Sequence, residues 1–278
     1  MATIKFQKLK FILKELIPPV ILEAYRSRNR AYSFSGNYKS WADARENSSG
    51  YDSDLILSKV KTSLLQVKEG RAAYERDSVV FNKLDYSFPL LAGLLSIAIE
   101  NNNCLSVLDY GGSLGSSYYQ NKRFLLKLKE FQWSIVEQKN FVSCGKELFE
   151  DEYLNFFNDI QSCAQSRNPN VILLSSVLQY LENPYGVLRE LIDQNIEYII
   201  VDRTPFIESN VDRLTVQRVS SRIYDSSYPA WFFSKPKFLN FFNKEYEIIF
   251  EFNSTDKANI PSQFKGFTLR KMAYVKAD

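Results

Sequence analysis

Histidine is absent from this chain of 278 residues. Histidine is the usual general base near neutral pH and the commonest ligand of transition metals in proteins. Its absence excludes every His-dependent catalytic triad and nearly all transition-metal sites, so we expect no metal centre. Any proton transfer must therefore be carried out by Asp, Glu, Tyr, Lys or Cys.

Cysteines are few and apolar runs are short. The three cysteines, Cys104, Cys144 and Cys163, are odd in number and have no CxxC spacing, which excludes a disulfide framework and a zinc site. The longest apolar segment, residues 88–99, has 12 residues and predicts a buried helix, because a membrane-spanning helix needs about 18 or more. With no signal-peptide pattern either, we expect a cytoplasmic protein.

The net charge of +3 is small and unevenly distributed. Residues 1–30 carry seven Lys or Arg against two Glu, so the other 248 residues have a net charge of −2. Nucleic-acid binding by the main body therefore has no electrostatic support, which argues against RNA methylation, although the basic N-terminus can supply phosphate contacts. Residues 4–28 predict basic amphipathic helices that either lie on an anionic membrane surface or pack on their own domain.

Residues 105–116 indicate a ligand-binding corner. An apolar run ends in Asp109, and Gly111, Gly112 and Gly115 precede a helix-compatible segment. Strand, tight glycine turn and helix N-terminus bring free backbone N–H groups to a ligand without a Cβ in the way. A dinucleotide fingerprint needs glycine at positions 113 and 116, where this chain has serine, so the spacing disfavours a nicotinamide-dependent oxidoreductase.

Glu137 ends the next predicted strand, 22 residues after Gly115. In α/β nucleotide sites a carboxylate at about this spacing accepts hydrogen bonds from the ribose hydroxyls. A solvated acid at a strand end is the alternative, but position and chemistry together favour a ribose contact.

The order of periodic segments predicts the fold. Helical patterns cover 55–67, 88–99 and 116–130, and strand patterns cover 131–137, 154–160, 171–174 and 196–201. Two tail segments, 246–252 and 264–272, predict an antiparallel pair. Residues 33–54 are polar and predict loops. We expect a doubly wound, mostly parallel seven-stranded α/β sheet in residues 101–278, preceded by an N-terminal helical segment and lid in residues 1–100.

Three motifs in order resemble class I S-adenosylmethionine (SAM) methyltransferases: residues 107–115, 135–137 and 174–185. The glycine pattern has Ser113 in place of its middle glycine, and Gln179 replaces a histidine of the third motif. More narrowly, residues 50–52, 74–78, 178–181, 202–205 and 227–229 resemble a bacterial methyltransferase family whose genes tend to accompany surface-polysaccharide synthesis.

The resemblance implies a set of SAM contacts. The backbone of residues 111–115, after Asp109, would hold the methionine and ribose portions. Glu137 would bind the ribose, Asp159 the adenine amino group, and Ser175 with Ser176 would form the floor beneath the sulfonium.

A hydroxyl acceptor must also lose a proton, and the candidate bases are Asp202, Glu75, Asp77 and Tyr180. For Asp202, an ion pair or cap beside Arg203 is the alternative role. The expected acceptor is a small molecule or glycan, namely a sugar hydroxyl of surface-polysaccharide biosynthesis. A non-catalytic SAM-fold scaffold or regulator is the rival hypothesis.

Overall fold

The computed structural model describes residues 32–50, 53–76, 78–83, 87–220 and 225–272. Twelve strands lie in these ranges: β1 (Tyr32–Tyr38), β2 (Tyr74–Arg76), β3 (Val79–Phe81), β4 (Cys104–Tyr110), β5 (Glu130–Val136), β6 (Leu154–Phe157), β7 (Val171–Ser175), β8 (Tyr198–Ile207), β9 (Arg213–Val219), β10 (Ser227–Ser234), β11 (Tyr246–Asn253) and β12 (Gln263–Lys271). The α-helices of the same ranges are α1 (Trp41–Glu46), α2 (Ser53–Lys68), α3 (Phe88–Glu100), α4 (Ser116–Leu125), α5 (Lys139–Leu148), α6 (Ile160–Arg167), α7 (Pro184–Asp193) and α8 (Lys235–Phe242).

Seven strands form the main sheet in the order β6-β5-β4-β7-β8-β12-β11. The first five are parallel to one another, and β12 is antiparallel to both of its neighbours. The apolar segment of β7 is buried on both faces, as a central parallel strand requires. One core lies between the sheet and α2 to α5, and the other lies under α6 to α8. The predicted doubly wound, mostly parallel fold is confirmed.

Local sequence explains where several helices begin. Asp159 accepts a hydrogen bond from the Ser162 backbone N–H and caps α6, and Asn183 caps α7 in the same way, with Pro184 as its first residue. The helix predicted over 116–130 ends earlier, at Leu125. The backbone turns there because the Lys129 N–H bonds to the Asn103 carbonyl, which starts β5 beside β4.

The sequence did not predict an antiparallel extension at one side of the main sheet. β1, β9 and β10 form a three-stranded extension that joins the main sheet where β10 pairs with the end of β8, and α1 packs against one face of this extension. We call β1, β9, β10 and α1 the cap. The prediction of loops over 33–54 is wrong for β1 and α1, because β1 alternates aromatic and polar residues only briefly and gains its hydrogen bonds from β9, far away in sequence. β8 also extends past its predicted end at 201 to reach the cap.

The residues before position 100 share the core of the sheet. Leu90, Leu94 and Ile97 of α3 pack in the same cluster as Val107 and Ile200 of the sheet. The division of the chain at residue 100 stays a prediction. Within the described ranges, no helix combines the length and apolar content needed to cross a bilayer. Residues 4–28, for which we predicted a membrane contact, lie outside those ranges.

Candidate functional site

A cavity of about 1010 Å³ opens at the carboxyl ends of the parallel strands. Asp109, Glu137 and Ser175, each at or just after the end of a different strand, line it together with Asp202 from the middle of β8 and Gln217 of the cap. Open α/β sheets bind ligands in this crevice, because the flanking loops diverge where the strand order reverses. Here the reversal lies between β4 and its neighbours β5 and β7.

The glycine loop, residues 111–115, follows β4, and two of its positions leave no room for a side chain. Gly111 has φ +72°, and a Cβ there would lie 2.3 Å from Cγ2 of Val177. A Cβ on Gly112 would lie 2.4 Å from Oδ2 of Asp109. Real Cβ atoms do not approach other atoms this closely, so the loop path requires glycine at both positions. The loop thereby leaves Ser116, at the N-terminus of α4, on the cavity wall.

Ser113 stands where the methyltransferase motif has its middle glycine, and it adopts the backbone conformation that glycine would favour. Its φ of +55° lies in the left-handed region, which serine reaches only with some strain. Ser176 and Arg203, after β7 and within β8, are also left-handed, with φ of 57° and 51°. Three strands therefore place a left-handed non-glycine residue at the cavity, a kind of strain that proteins retain mostly at ligand sites.

Asp109 is buried and 1% exposed. Its Oδ2 accepts a hydrogen bond of 3.0 Å from Nε1 of Trp133. Burial raises the pKa of Asp109 to about 7, although the bond from Trp133 lowers it and the charge of Glu137 raises it further. The carboxyl group therefore changes its charge near neutral pH, where it lies beneath the glycine loop.

Glu137 faces the glycine loop from the end of β5. Its Oε2 accepts the backbone N–H of Gln138 at 2.7 Å. Burial raises the pKa of Glu137, while hydrogen bonds from the backbone N–H groups of Gln138 and Ser113 lower it. The carboxylate and the loop thus line the same cavity, and the ribose contact of Glu137 stays a prediction.

Asp159 also lines the cavity, but its carboxylate already has a structural role. The side chain caps α6, with Oδ1 2.7 Å from the backbone N of Ser162 and Oδ2 2.9 Å from that residue's hydroxyl. These hydrogen bonds lower the pKa of Asp159, which keeps the exposed group ionised. Its predicted adenine contact stays a prediction.

Ser175, Ser176 and Asp202 lie together between β7 and β8. The Ser175 hydroxyl donates to Oδ2 of Asp202 at 3.0 Å, and the Ser176 N–H donates to the Asp202 carbonyl. Asp202 is 1% exposed, and its Oδ1 has no hydrogen-bond partner among the described residues. Burial raises its pKa, although the charge of Arg203 and the bond from Ser175 lower it. This is the environment that a general base of the carboxylate type requires.

The Arg203 side chain pairs with a different acid. Its Nε lies 3.3 Å from Oδ2 of Asp256. The charge of Arg203 also lowers the pKa of Asp202, and the ion-pair alternative for Asp202 stays a prediction. The cavity wall at this point contains one paired carboxylate, Asp256, and one, Asp202, with a free oxygen.

The other three candidate bases are differently placed. Glu75 is buried in β2, where it accepts hydrogen bonds from the Ser78 backbone N–H and the Ser116 hydroxyl, so it ties the β2–β3 hairpin to the N-terminus of α4. Tyr180 ends a short 3-10 helix and donates its hydroxyl to Oε1 of Gln217 at 2.9 Å. Asp77 lies outside the described residues.

Sequence reasoning missed the cap residues of this cavity and the partner of Asp109. Trp133 was assigned only to a strand, and no short-range pattern connects it to Asp109, 24 residues earlier. Phe34, Gln217 and Tyr228 belong to three strands that meet only in the fold. The available sequence signs were the high aromatic content, 15% of all residues, and the resemblance of residues 227–229, which include Tyr228, to a methyltransferase family.

Among the described residues, no three or more Asp, Glu or Cys side chains are grouped closely enough to hold a metal ion. No protein-family model matches the sequence, and no curated protein matches it either. The narrower resemblance to a polysaccharide-associated bacterial family therefore gains no support from these comparisons.

Solved structures of similar shape are SAM-dependent methyltransferases. The N-terminal domain of EvdMO1, solved in the presence of S-adenosylhomocysteine (SAH) and D-fucose, has a TM-score of 0.47 and 12% identity, over 80% of this chain and 98% of that one. A methyltransferase from Clostridium acetobutylicum has a TM-score of 0.44 and 13% identity, over 76% and 97%. Magnesium protoporphyrin IX methyltransferase from Synechocystis, with bound SAM, has a TM-score of 0.44 and 13% identity, over 66% and 77%. Likeness at these identities concerns the fold alone.

Proposed function

We propose that the protein is a SAM-dependent methyltransferase acting on a small-molecule or glycan acceptor. One observation carries the proposal: the glycine loop and Glu137 lie next to each other in the wall of a cavity of about 1010 Å³ at the reversal point of the sheet. The volume is ample for a nucleoside and a second small molecule, since ligand pockets usually measure about 300–1,000 Å³.

Different residues of this chain bind different portions of the cofactor. The backbone of Gly111 to Gly115 binds the methionine and ribose portions, where the free N–H groups of α4 face the cavity. Glu137 accepts the ribose hydroxyls, and Asp159 accepts the adenine amino group with the lone pairs that its capping role leaves available. Asp109 supports the loop from below.

Ser175 and Ser176 form the floor under the reacting centre, next to Asp202. When bound, SAM supplies an electrophilic methyl group attached to a sulfonium. With SAM bound, an acceptor hydroxyl oxygen would take this methyl group, and the electron pair of the broken carbon–sulfur bond would stay on sulfur. The acceptor proton passes to Oδ1 of Asp202, which has no other hydrogen-bond partner among the described residues. Alignment of the two reactants in the cavity supplies much of the rate, up to roughly 7–11 kcal/mol.

The acceptor that fits best is a sugar hydroxyl, and surface-polysaccharide biosynthesis in the cytoplasm is the process that we propose for it. Support comes from the sequence resemblance and from the neutral side chains of Phe34, Gln217 and Tyr228, which the cap contributes to the cavity. The net charge of −2 outside the first 30 residues disfavours nucleic acid as the acceptor.

Direct binding and transfer experiments test the proposal. In calorimetry, SAM and SAH should bind and NAD should not. With methyl-labelled SAM and a bacterial glycan extract, label should enter the acceptor. If SAM and SAH bind but no acceptor is labelled, the rival hypothesis of a non-catalytic scaffold is correct. If neither binds, the cofactor assignment is wrong.

A further inference from the structure

The inner face of the cap presents a cross-strand row of three side chains to the cavity. Phe34 of β1 and Tyr228 of β10 are both register partners of Gln217 on β9. All three residues line the cavity, and all are nearly buried, with Gln217 only 1% exposed. The row spans the width of the cap, so a bound molecule at this end of the cavity lies against it.

A neutral hydrogen-bond network occupies the middle of this row. Oε1 of Gln217 accepts the Tyr180 hydroxyl at 2.9 Å, and Nε2 of Gln217 lies 3.4 Å from the Tyr228 hydroxyl. The Tyr180 and Tyr228 rings meet edge to face, with centroids 5.5 Å apart. A buried amide between two phenols is an array of donors and acceptors without formal charge.

Aromatic surface surrounds the network. Phe34 packs edge to face on Phe232, at 5.0 Å between centroids, while the Trp41–Trp231 stack, at 6.3 Å, lies on the opposite face of β10. Rings beside neutral hydrogen-bonding groups complement a ligand with apolar C–H faces and a rim of hydroxyls. Phe34, Gln217 and Tyr228 carry no formal charge, so an anionic ring lying against the row gains no counter-ion from these three side chains.

The row is connected to the proposed methyl-transfer centre by one short segment. The segment runs from Ser176 to Tyr180. Nε2 of Gln179 donates a hydrogen bond to the Ser176 hydroxyl at 3.0 Å, and the Tyr180 hydroxyl donates one to Gln217. Ser176 is also bonded to Asp202 through the backbone. A molecule on the cap therefore shares the cavity with Asp202, to which the row is linked through Ser176 and Tyr180.

We infer that the inner face of the cap is the acceptor subsite, with Gln217 as its specificity-determining residue, and that it takes an uncharged, hydroxylated ring such as a pyranoside. The inference rests on the proposed function and specifies its acceptor. Gln217, Tyr180 and Tyr228 bind the hydroxyls, and Phe34 contacts the apolar face of the ring.

Acceptor binding can be measured separately from cofactor binding. We would titrate the full chain, with and without SAH, with the methyl pyranosides of glucose, galactose, mannose and rhamnose. The readouts are saturation-transfer NMR and tryptophan fluorescence, since Trp41 and Trp231 lie in the cap. Glucuronate and catechol represent an anionic ring and a flat aromatic ring. We expect saturable binding of at least one pyranoside, tighter than that of either comparison compound.

Variants assign the binding to the row. Gln217→Leu keeps the side-chain size and removes the amide, so the pyranoside Kd should rise about tenfold or more, the usual effect of losing hydrogen bonds to a buried ligand. Tyr180→Phe, which keeps its ring, should weaken binding in the same direction if Gln217→Leu does not fold. Thr215→Val is the matched control: Thr215 is buried two residues away on β9, and its hydroxyl bonds to the Ala230 carbonyl outside the cavity wall.

Each outcome decides between the two proposals. Loss of pyranoside binding in Gln217→Leu, with Thr215→Val and SAH affinity unchanged, supports the subsite. Equal weakening in both variants, or preference for glucuronate or catechol, overturns it. Absence of pyranoside binding to a protein that binds SAH overturns the subsite alone. Pyranoside binding to a protein that does not bind SAH overturns the cofactor assignment and leaves the subsite intact.

Discussion

Gly112 and Asp109 touch across the glycine loop: a Cβ added to Gly112 would lie 2.4 Å from Oδ2 of Asp109. The contact joins the backbone of the turn to a carboxyl group that is held from its other side by Trp133. Since the acid is buried, it cannot move away without losing that hydrogen bond. The position of the loop therefore depends on residue 112 being glycine, which has no side chain.

Gly112→Ala should reduce SAM affinity by at least tenfold and lower the Tm. Overpacking in a closed environment costs about 1–3 kcal/mol, and here it pushes the loop toward the cofactor space. Calorimetry and thermal melts measure the two effects. Gly70→Ala is the control, because Gly70 has φ +74° but open space around it, so alanine there adds backbone strain without a clash. SAM affinity within twofold of the wild type in Gly112→Ala would contradict the role of this contact.

The pH dependence of stability should carry a contribution from Asp109. Its folded pKa of about 7 lies above its ordinary value of 3.8, so the folded state binds this proton more tightly than the unfolded state. The free energy of unfolding from this group is therefore highest at acidic pH and falls as the pH rises from about 4 to about 7.

Asp109→Asn removes this titration while keeping an acceptor for Trp133. Between about pH 5 and pH 8, the wild type should lose on the order of 2 kcal/mol relative to the variant. Urea unfolding at each pH measures the difference. Parallel pH profiles of the two proteins would show that the buried carboxyl does not titrate in this range.

Glu137→Ala should weaken SAM binding by tenfold to a hundredfold, because hydrogen bonds to a charged group contribute about 1.5–3 kcal/mol. Adenine alone should bind both proteins alike, since it has no ribose. Glu147→Ala, at an exposed position of α5, is the control and should bind SAM normally. An unchanged SAM affinity in Glu137→Ala would refute the ribose assignment.

Asp202→Asn should lower the rate of methyl transfer by about a hundredfold to ten-thousandfold with little change in SAM affinity, the range usual for a lost general base. In the wild type, kcat should rise with pH through the raised pKa of Asp202 and then level off, because only the ionised carboxylate accepts a proton. Asp193→Asn, at an exposed position of α7, serves as the control. We expect the residual rate of Asp202→Asn to be independent of pH. If the variant keeps the pH profile of the wild type, a residue other than Asp202 is the general base.

Much of the fold was predictable because its signals are local. Apolar runs such as residues 171–174, long helical periods and a glycine turn after Asp109 each indicate structure within a few residues. Their alternation implies a parallel sheet, and the carboxyl ends of parallel strands share one edge. Asp109, Gly111, Glu137 and Ser175 accordingly line a common cavity, as the sequence order implied.

The cap escaped prediction because its signals are not local. β1 has a polar sequence and pairs with β9, more than 170 residues later. Residues Phe34, Gln217 and Tyr228 acquire their common face only through strand register, which single-sequence patterns do not encode. The same holds for Asp202, since the burial that raises its pKa comes from elements distant along the chain.

The sequence by itself determined the alternating sheet, the glycine corner and the acid that follows the next strand, because each depends on spacing within a short segment. Only the tertiary structure decided which carboxyl groups are buried, which oxygen of Asp202 is left unpaired and which side chains form the wall opposite the glycine loop. Burial and the joining of distant strands depend on the whole packed chain, and these two effects set the charge and the shape of the cavity.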